Sequence, residues 1–280
     1  MPIKRKSQSG IQPSAKRHKP ISLQVNEHST EFDPHTNSYG TNIPQLKELD
    51  YNLIKPDYTI SLFGKRTTGK SFMLCWIMYL LSHFFPLVIV FTKTKQNGFW
   101  QKHIPERFIH PGFRAAVVKA FLNWQKKRKA DPKLKEANLK VLIIENDVIS
   151  DPKLRYSEEN NGLFTEGRHS DVMVAVTSQT AKGVNPTLRE NTDMGFFFYF
   201  HSKNQRQSVY EDYFDFMDPN QFEAMYNHYT KDNMCLVVIT NPLSKAFTGN
   251  PMDCVFWAKA KDPGDFVMGC EELWKTKESM

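Results

Sequence analysis

Eight consecutive residues, GKRTTGKS from Gly64 to Ser71, match the spacing G-x-x-x-x-G-K-[ST] without a mismatch. The chemistry this pattern allows is phosphate binding. Backbone N–H groups of Gly64, Lys65, Arg66, Thr67, Thr68 and Gly69 would converge on an anion, helped by the positive end of the helix that follows. Lys70 would reach the β- and γ-phosphates of ATP, and the Ser71 hydroxyl would ligate Mg²⁺. A glycine turn with a chance lysine is the plain alternative. The flanks decide against it: Tyr58, Ile60 and Leu62 sit in a β-prone run ending at Gly64, and SFMLCWI from Ser71 reads as a helix entering a core.

A second group of reactive residues follows the apolar run VLII at 141–144, which ends in Glu145-Asn146-Asp147. A hydrophobic strand ending in carboxylates is the Walker B arrangement, at the carboxyl edge of a sheet beside the phosphate loop. One carboxylate would hold the Mg²⁺ shell, the other would orient or deprotonate the attacking water. Glu145 is expected at the metal and Asp147 at the water, although spacing alone leaves the register among the three residues open. A polar strand end closed by a turn is the alternative. Gln179 ends the next apolar run, DVMVAVTSQ at 171–179, where its amide can meet the γ-phosphate or the water.

These residues need a sheet to bring them together. The expected strands are 58–63, 87–91, 141–144, 171–179 and 194–201, with closing strands LVVIT at 236–240 and CVFWA at 254–258. A helix follows the phosphate loop to about residue 84. Another spans 114–129, where Ala116, Val117, Ala120, Phe121 and Trp124 recur at helical spacing. Residues 92–113 read as an irregular excursion, 41–57 as a lead-in packed on the sheet edge, and 202–229 as a helical pair. That order predicts an α/β fold, a doubly wound, mainly parallel sheet flanked by helices. Beyond Asn204 no catalytic arrangement stands out, and His110, His169, His201 and His228 read as structural or exposed.

Net charge is +7, but six of those charges (Lys4, Arg5, Lys6, Lys16, Arg17, Lys19) lie in residues 1–25, which hold no carboxylate. Residues 26–280 are therefore at +1, so a nucleic-acid surface on the body requires local asymmetry. Residues 1–40 read as a disordered basic arm, and 41–280 as one ATPase domain with extra C-terminal strands and helices. The two basic clusters of the arm resemble a bipartite nuclear-import signal or a non-specific nucleic-acid contact. A further cluster, Lys126 to Lys140, reads as a solvated helix end or as a DNA-facing loop. Four separated cysteines show no zinc spacing and imply reduced thiols. The apolar stretch 74–91 is broken by Ser82, His83 and Pro86, so it reads as a buried helix then a buried strand; no membrane partner is expected.

Three segments together, GKRTTGKS, VLIIENDVISD and LFTEGRHSDVMVAVTSQTAKGVNPTLRENTD, resemble the DNA-packaging ATPases of large eukaryotic DNA viruses and related elements. This is the poxvirus-type branch of the FtsK/HerA superfamily of P-loop NTPases. The resemblance covers roughly residues 55–200 and is most specific from Gly162 to Asp193, with Pro186, Arg189 and Asn191 in its last element. It implies a RecA-like core, a homo-oligomeric ring, ATP hydrolysis, and translocation of double-stranded DNA into a preformed capsid, hence capsid proteins as partners. It also implies Gln179 as a polar sensor, and Arg168, with Arg189 second, as the finger reaching a neighbour's nucleotide. Location would be the host nucleus or a viral assembly site, with virion association. One departure stands out: Asn146 falls where the family carries the first of two acids. A non-hydrolysing nucleotide switch and a replication helicase are the alternative functions.

Overall fold

The computed structural model describes residues 43–148 and 156–275. The basic arm expected over 1–40 lies outside the described residues. Among the described residues, nine strands form one sheet: β1 (Lys47–Glu48), β2 (Thr59–Phe63), β3 (Leu87–Thr92), β4 (Ile109–Pro111), β5 (Val141–Asn146), β6 (Val172–Ser178), β7 (Met194–Phe197), β8 (Met234–Ile239) and β9 (Val255–Lys259). Their order across the sheet is β1-β9-β8-β7-β2-β6-β5-β3-β4. Only β8 runs against its neighbours; every other pairing is parallel. The expected doubly wound, mainly parallel α/β sheet is what forms.

The seven described α-helices are α1 (Lys70–Leu80), α2 (Ala115–Ala130), α3 (Glu158–Glu166), α4 (Pro186–Glu190), α5 (Lys203–Tyr213), α6 (Pro219–Tyr229) and α7 (Glu271–Lys275). Central strands are buried on both faces, so they read as continuous apolar runs rather than alternating ones. On one face, Met73, Leu74, Ile77 and Met78 of α1 pack with Leu142 and Ile144 of β5. On the other, Val141 and Ile143 pack with Val118 and Phe121 of α2 and Leu163 and Phe164 of α3. This alternation along β5 decides which of its polar residues can meet the phosphate loop.

Element bounds follow the expectation with local differences that have visible reasons. β7 stops at Phe197 because its partner β2 ends there; Phe198 N still donates to Phe63 O at 2.7 Å, and the chain then turns over the phosphate loop. The irregular 92–113 segment contains short 3₁₀ turns and the edge strand β4. The lead-in 41–57 does pack on a sheet edge, as β1 beside β9. No helix among the described residues is long and apolar enough to cross a membrane.

Candidate functional site

The phosphate loop joins the end of β2 to the start of α1 and is shaped by two glycines. Gly69 caps α1 with φ 99°, left-handed backbone that favours glycine, and contributes no capping side chain to compete with an anion. At Gly64 a Cβ would lie 2.5 Å from Phe198 Cβ, so only glycine lets β2 turn this close to the chain leaving β7. Lys70 is 7% exposed, and its Nζ donates to Gly64 O at 2.7 Å and Lys65 O at 2.8 Å, bending the cation back over the loop. Burial lowers the Lys70 pKa, and Asp147 partly offsets this by favouring the cation.

Three parallel strands deliver polar tips to the same edge. Gln179 follows β6, and its Nε2 donates to Asp147 Oδ2 at 3.0 Å. Its Oε1 accepts from Arg66 Nε at 3.2 Å, so an Arg66–Gln179–Asp147 chain crosses the site from loop to acid. Asp147 lies one residue beyond β5 in left-handed backbone, φ 57°, with its N–H held by Thr177 Oγ1 at 3.0 Å. That turn re-aims its carboxylate toward Lys70. Asn146 points to the α1 side but is committed to the sheet. Its Nδ2 donates to Thr92 Oγ1 at 3.1 Å, and its Oδ1 accepts from Thr177 Oγ1 at 3.0 Å.

Glu145 requires a correction. It was expected beside Ser71 at the metal, but strand alternation turns it to the opposite face, where it is fully buried. Its partner there is Asn160 of α3, whose amide lies 2.7 Å from a carboxyl oxygen. Burial pushes the Glu145 pKa up to about 8. A carboxyl sealed away from the phosphate loop and neutral near pH 7 has neither the position nor the charge of a Mg²⁺ ligand. Asp147 is the acid of this strand that reaches the cavity.

That cavity, of about 510 Å³, is lined by Arg66, Thr67, Gly69 to Phe72, and Asp147. Its remaining wall was missed by reasoning from sequence: Phe99, Asn233, Lys259 and Ala260. Asn233 precedes β8 and Lys259 ends β9, and the reversed direction of β8 brings both to the phosphate-loop edge. No local signal marks them. Only the pairing of strands remote in sequence does.

Arg168 and Arg189 are not brought to this site. Arg168 lies just before β6, at the opposite edge of the sheet, where its NH2 reaches both carboxylate oxygens of Asp193 at 2.6 and 2.7 Å. Asp193 also accepts from the N–H of Thr59, the first residue of β2. Arg189 pairs with Asp212 at 3.2 Å and donates to Val184 O.

No protein-family model matches the chain. It is 28% identical over 238 residues to the uncharacterized protein L437 of Acanthamoeba polyphaga mimivirus, covering 82% of this chain and 81% of that one. With the uncharacterized protein 015R of Frog virus 3 it shares 26% identity over 235 residues, 83% of this chain and 70% of the other. Among solved structures it resembles the genome packaging NTPase B204 of Sulfolobus turreted icosahedral virus 2 in complex with AMP. The TM-score is 0.50 at 14% identity, over 67% of this chain and 95% of that chain. The shared property is the fold, that of a P-loop NTPase.

Proposed function

We propose that this P-loop NTPase hydrolyses ATP and uses the energy to move double-stranded DNA, packaging a viral genome into a preformed capsid. One observation carries the reading: Lys70, Ser71 and Asp147 converge on one cavity at the carboxyl edge of a parallel sheet, with Gln179 bonded to the acid. Its volume suits a nucleotide. Relatives in large DNA viruses and the fold shared with a viral genome packaging NTPase support the same reading.

The triphosphate would lie along the loop from Gly64 to Gly69, with Lys70 moving from the loop carbonyls to the β- and γ-phosphates. The ribose and base would extend past Ser71 along Phe72 and Phe99, with Lys259 and Asn233 at the rim. Ser71 hydroxyl and Asp147 carboxylate are hard oxygen donors on one cavity, a set that fits Mg²⁺. When bound, that ion supplies charge neutralisation at the β- and γ-oxygens. Asp147 would also orient the attacking water, whose proton passes to the phosphate being released, while Gln179 holds the carboxylate in place. Water attack at the γ-phosphorus breaks the bond to the bridging oxygen and yields ADP and phosphate.

A homo-oligomeric ring around the duplex, docked on capsid proteins in the host nucleus or at a viral assembly site, completes the proposal. A trans-acting finger in that ring is assigned to Arg168, which is half exposed and would have to leave Asp193. The second reading, a non-hydrolysing switch, draws on Asn146, a neutral amide with both ends committed, which leaves Asp147 as the strand's acid in the cavity. Turnover of ATP with and without duplex DNA, beside Lys70→Ala, separates the two. DNA-stimulated turnover lost in Lys70→Ala supports the motor; a wild-type protein that binds ATP without turnover under both conditions leaves the switch.

A further inference from the structure

Residues 114–140 carry nine Lys and Arg against two carboxylates, Asp131 and Glu136, a net +7. Since residues 41–280 total +4, the rest of that stretch stands at −3. The folded body therefore concentrates its positive charge on one element. Within α2 there is no acid at all. Its inner face is Val118, Phe121 and Gln125, and Gln125 Nε2 fastens it to Leu139 O at 2.6 Å. Two cations serve the fold: Lys126 pairs with Glu166 at 3.0 Å and Lys129 with Asp171 at 2.9 Å. Lys119, Lys127, Lys133, Lys135 and Lys140 have no ion-pair partner among the described residues. Beside them Trp124 is 45% exposed, with the Arg128 guanidinium 4.3 Å over its ring.

We propose that the outer face of α2 and the turn after it form a track for the phosphate backbone of double-stranded DNA. This rests on the reading of duplex DNA as the translocated partner. Lys119 and Lys127 lie about 12 Å apart along the helix, a span of roughly three to four phosphates of one strand. Exposed lysines are flexible point charges that meet backbone without reading bases, and the exposed indole offers an apolar platform for deoxyribose. An acidic protein surface is the poorer fit, because lysine is depleted where proteins pack against each other. The track is separate from the nucleotide. α2 starts near the end of β4, at the phosphate-loop edge, and runs about 24 Å back to the opposite edge, where β5 begins.

The test uses the full chain and a fluorescent 30-base-pair duplex, reading affinity by anisotropy across a salt series. Lys127→Gln/Lys133→Gln/Lys135→Gln should lower the slope of log affinity against log salt by about 2 to 3, near 0.9 per lost phosphate contact. Lys127→Glu alone should weaken binding by about tenfold. A control of equal charge, Lys47→Gln/Lys102→Gln/Lys245→Gln on other exposed lysines, should leave the slope unchanged, and affinity for a fluorescent ATP analogue should stay within twofold in all variants. Wild-type binding with an unchanged slope in the triple variant overturns the track and leaves the DNA reading intact. A change in sedimentation instead of slope overturns it in favour of contacts between copies of the chain. Wild type blind to the duplex sinks both.

Discussion

Gln179 and Asp147 are bonded side chain to side chain at 3.0 Å, although they come from the tips of different strands, and Arg66 holds the other end of the amide. The amide therefore links the phosphate loop to the acid that faces it. Gln179→Ala should reduce kcat by about 10²-fold or more, while nucleotide affinity stays within about threefold. Steady-state turnover beside equilibrium binding of a fluorescent analogue measures both. Equal losses in the two would mean that Gln179 serves binding rather than the chemical step.

Lys70 is buried against the loop it must serve, with its cation on Gly64 O and Lys65 O. Lys70→Ala is expected to abolish measurable turnover and weaken ATP binding by at least tenfold. It should remain folded, because the two lost hydrogen bonds to loop carbonyls are worth about 1–3 kcal/mol. Circular dichroism and a thermal melt beside the binding isotherm check this.

Phe99 lines the cavity beyond the loop, where a base rather than a phosphate would rest. Phe99→Ala should lower affinity for ATP about tenfold or more and leave inorganic tripolyphosphate unaffected, since only ATP carries a ring to stack. Competition of both ligands against one fluorescent nucleotide gives the comparison. Equal weakening of the two would place the base elsewhere.

Glu145 is neutral in the fold over a range where the unfolded chain would ionise it, because burial lifts its pKa from near 4.5 to about 8. The folded state then holds more protons than the unfolded state between those values, so stability falls as pH rises through that window and levels off above it. The slope is at most about 1.4 kcal/mol per pH unit. Glu145→Gln lacks this dependence, and its melting temperature should gain on wild type steadily from pH 5 to 8. Its Mg²⁺-dependent nucleotide binding should match wild type, in contrast to Asp147→Asn.

Arg168 closes a polar knot in which buried Asp193 also accepts from Thr59 N and Asn241 Nδ2. Because Arg168 is itself half exposed, Arg168→Ala should cost about 1–2 kcal/mol of stability. A trans role has its own signature. Mixed rings of Arg168→Ala and Lys70→Ala subunits, shown to co-assemble, should regain part of the turnover that each variant lacks alone.

The turn between β2 and α1 was readable from the chain because its residues are contiguous: two glycines, a lysine and a hydroxyl within eight residues, between an apolar strand and an apolar helix. The sheet was readable for a related reason, since strands buried on both faces write themselves as unbroken runs such as VLII and VMVAV. Direction and facing were not. Whether Glu145 or Asp147 meets the loop depends on where β5 stops pleating and on the left-handed turn at Asp147. Spacing among three adjacent polar residues does not encode that. Asn233 and Lys259 reach the cavity only because β8 runs backward beside β7, and Arg168, close in sequence to the β6 strand that Gln179 tips, ends up at the far edge. Local sequence determines which groups a strand can offer; the register and direction of hydrogen-bonded neighbours, contributed by residues far along the chain, decide which face and which end receives them.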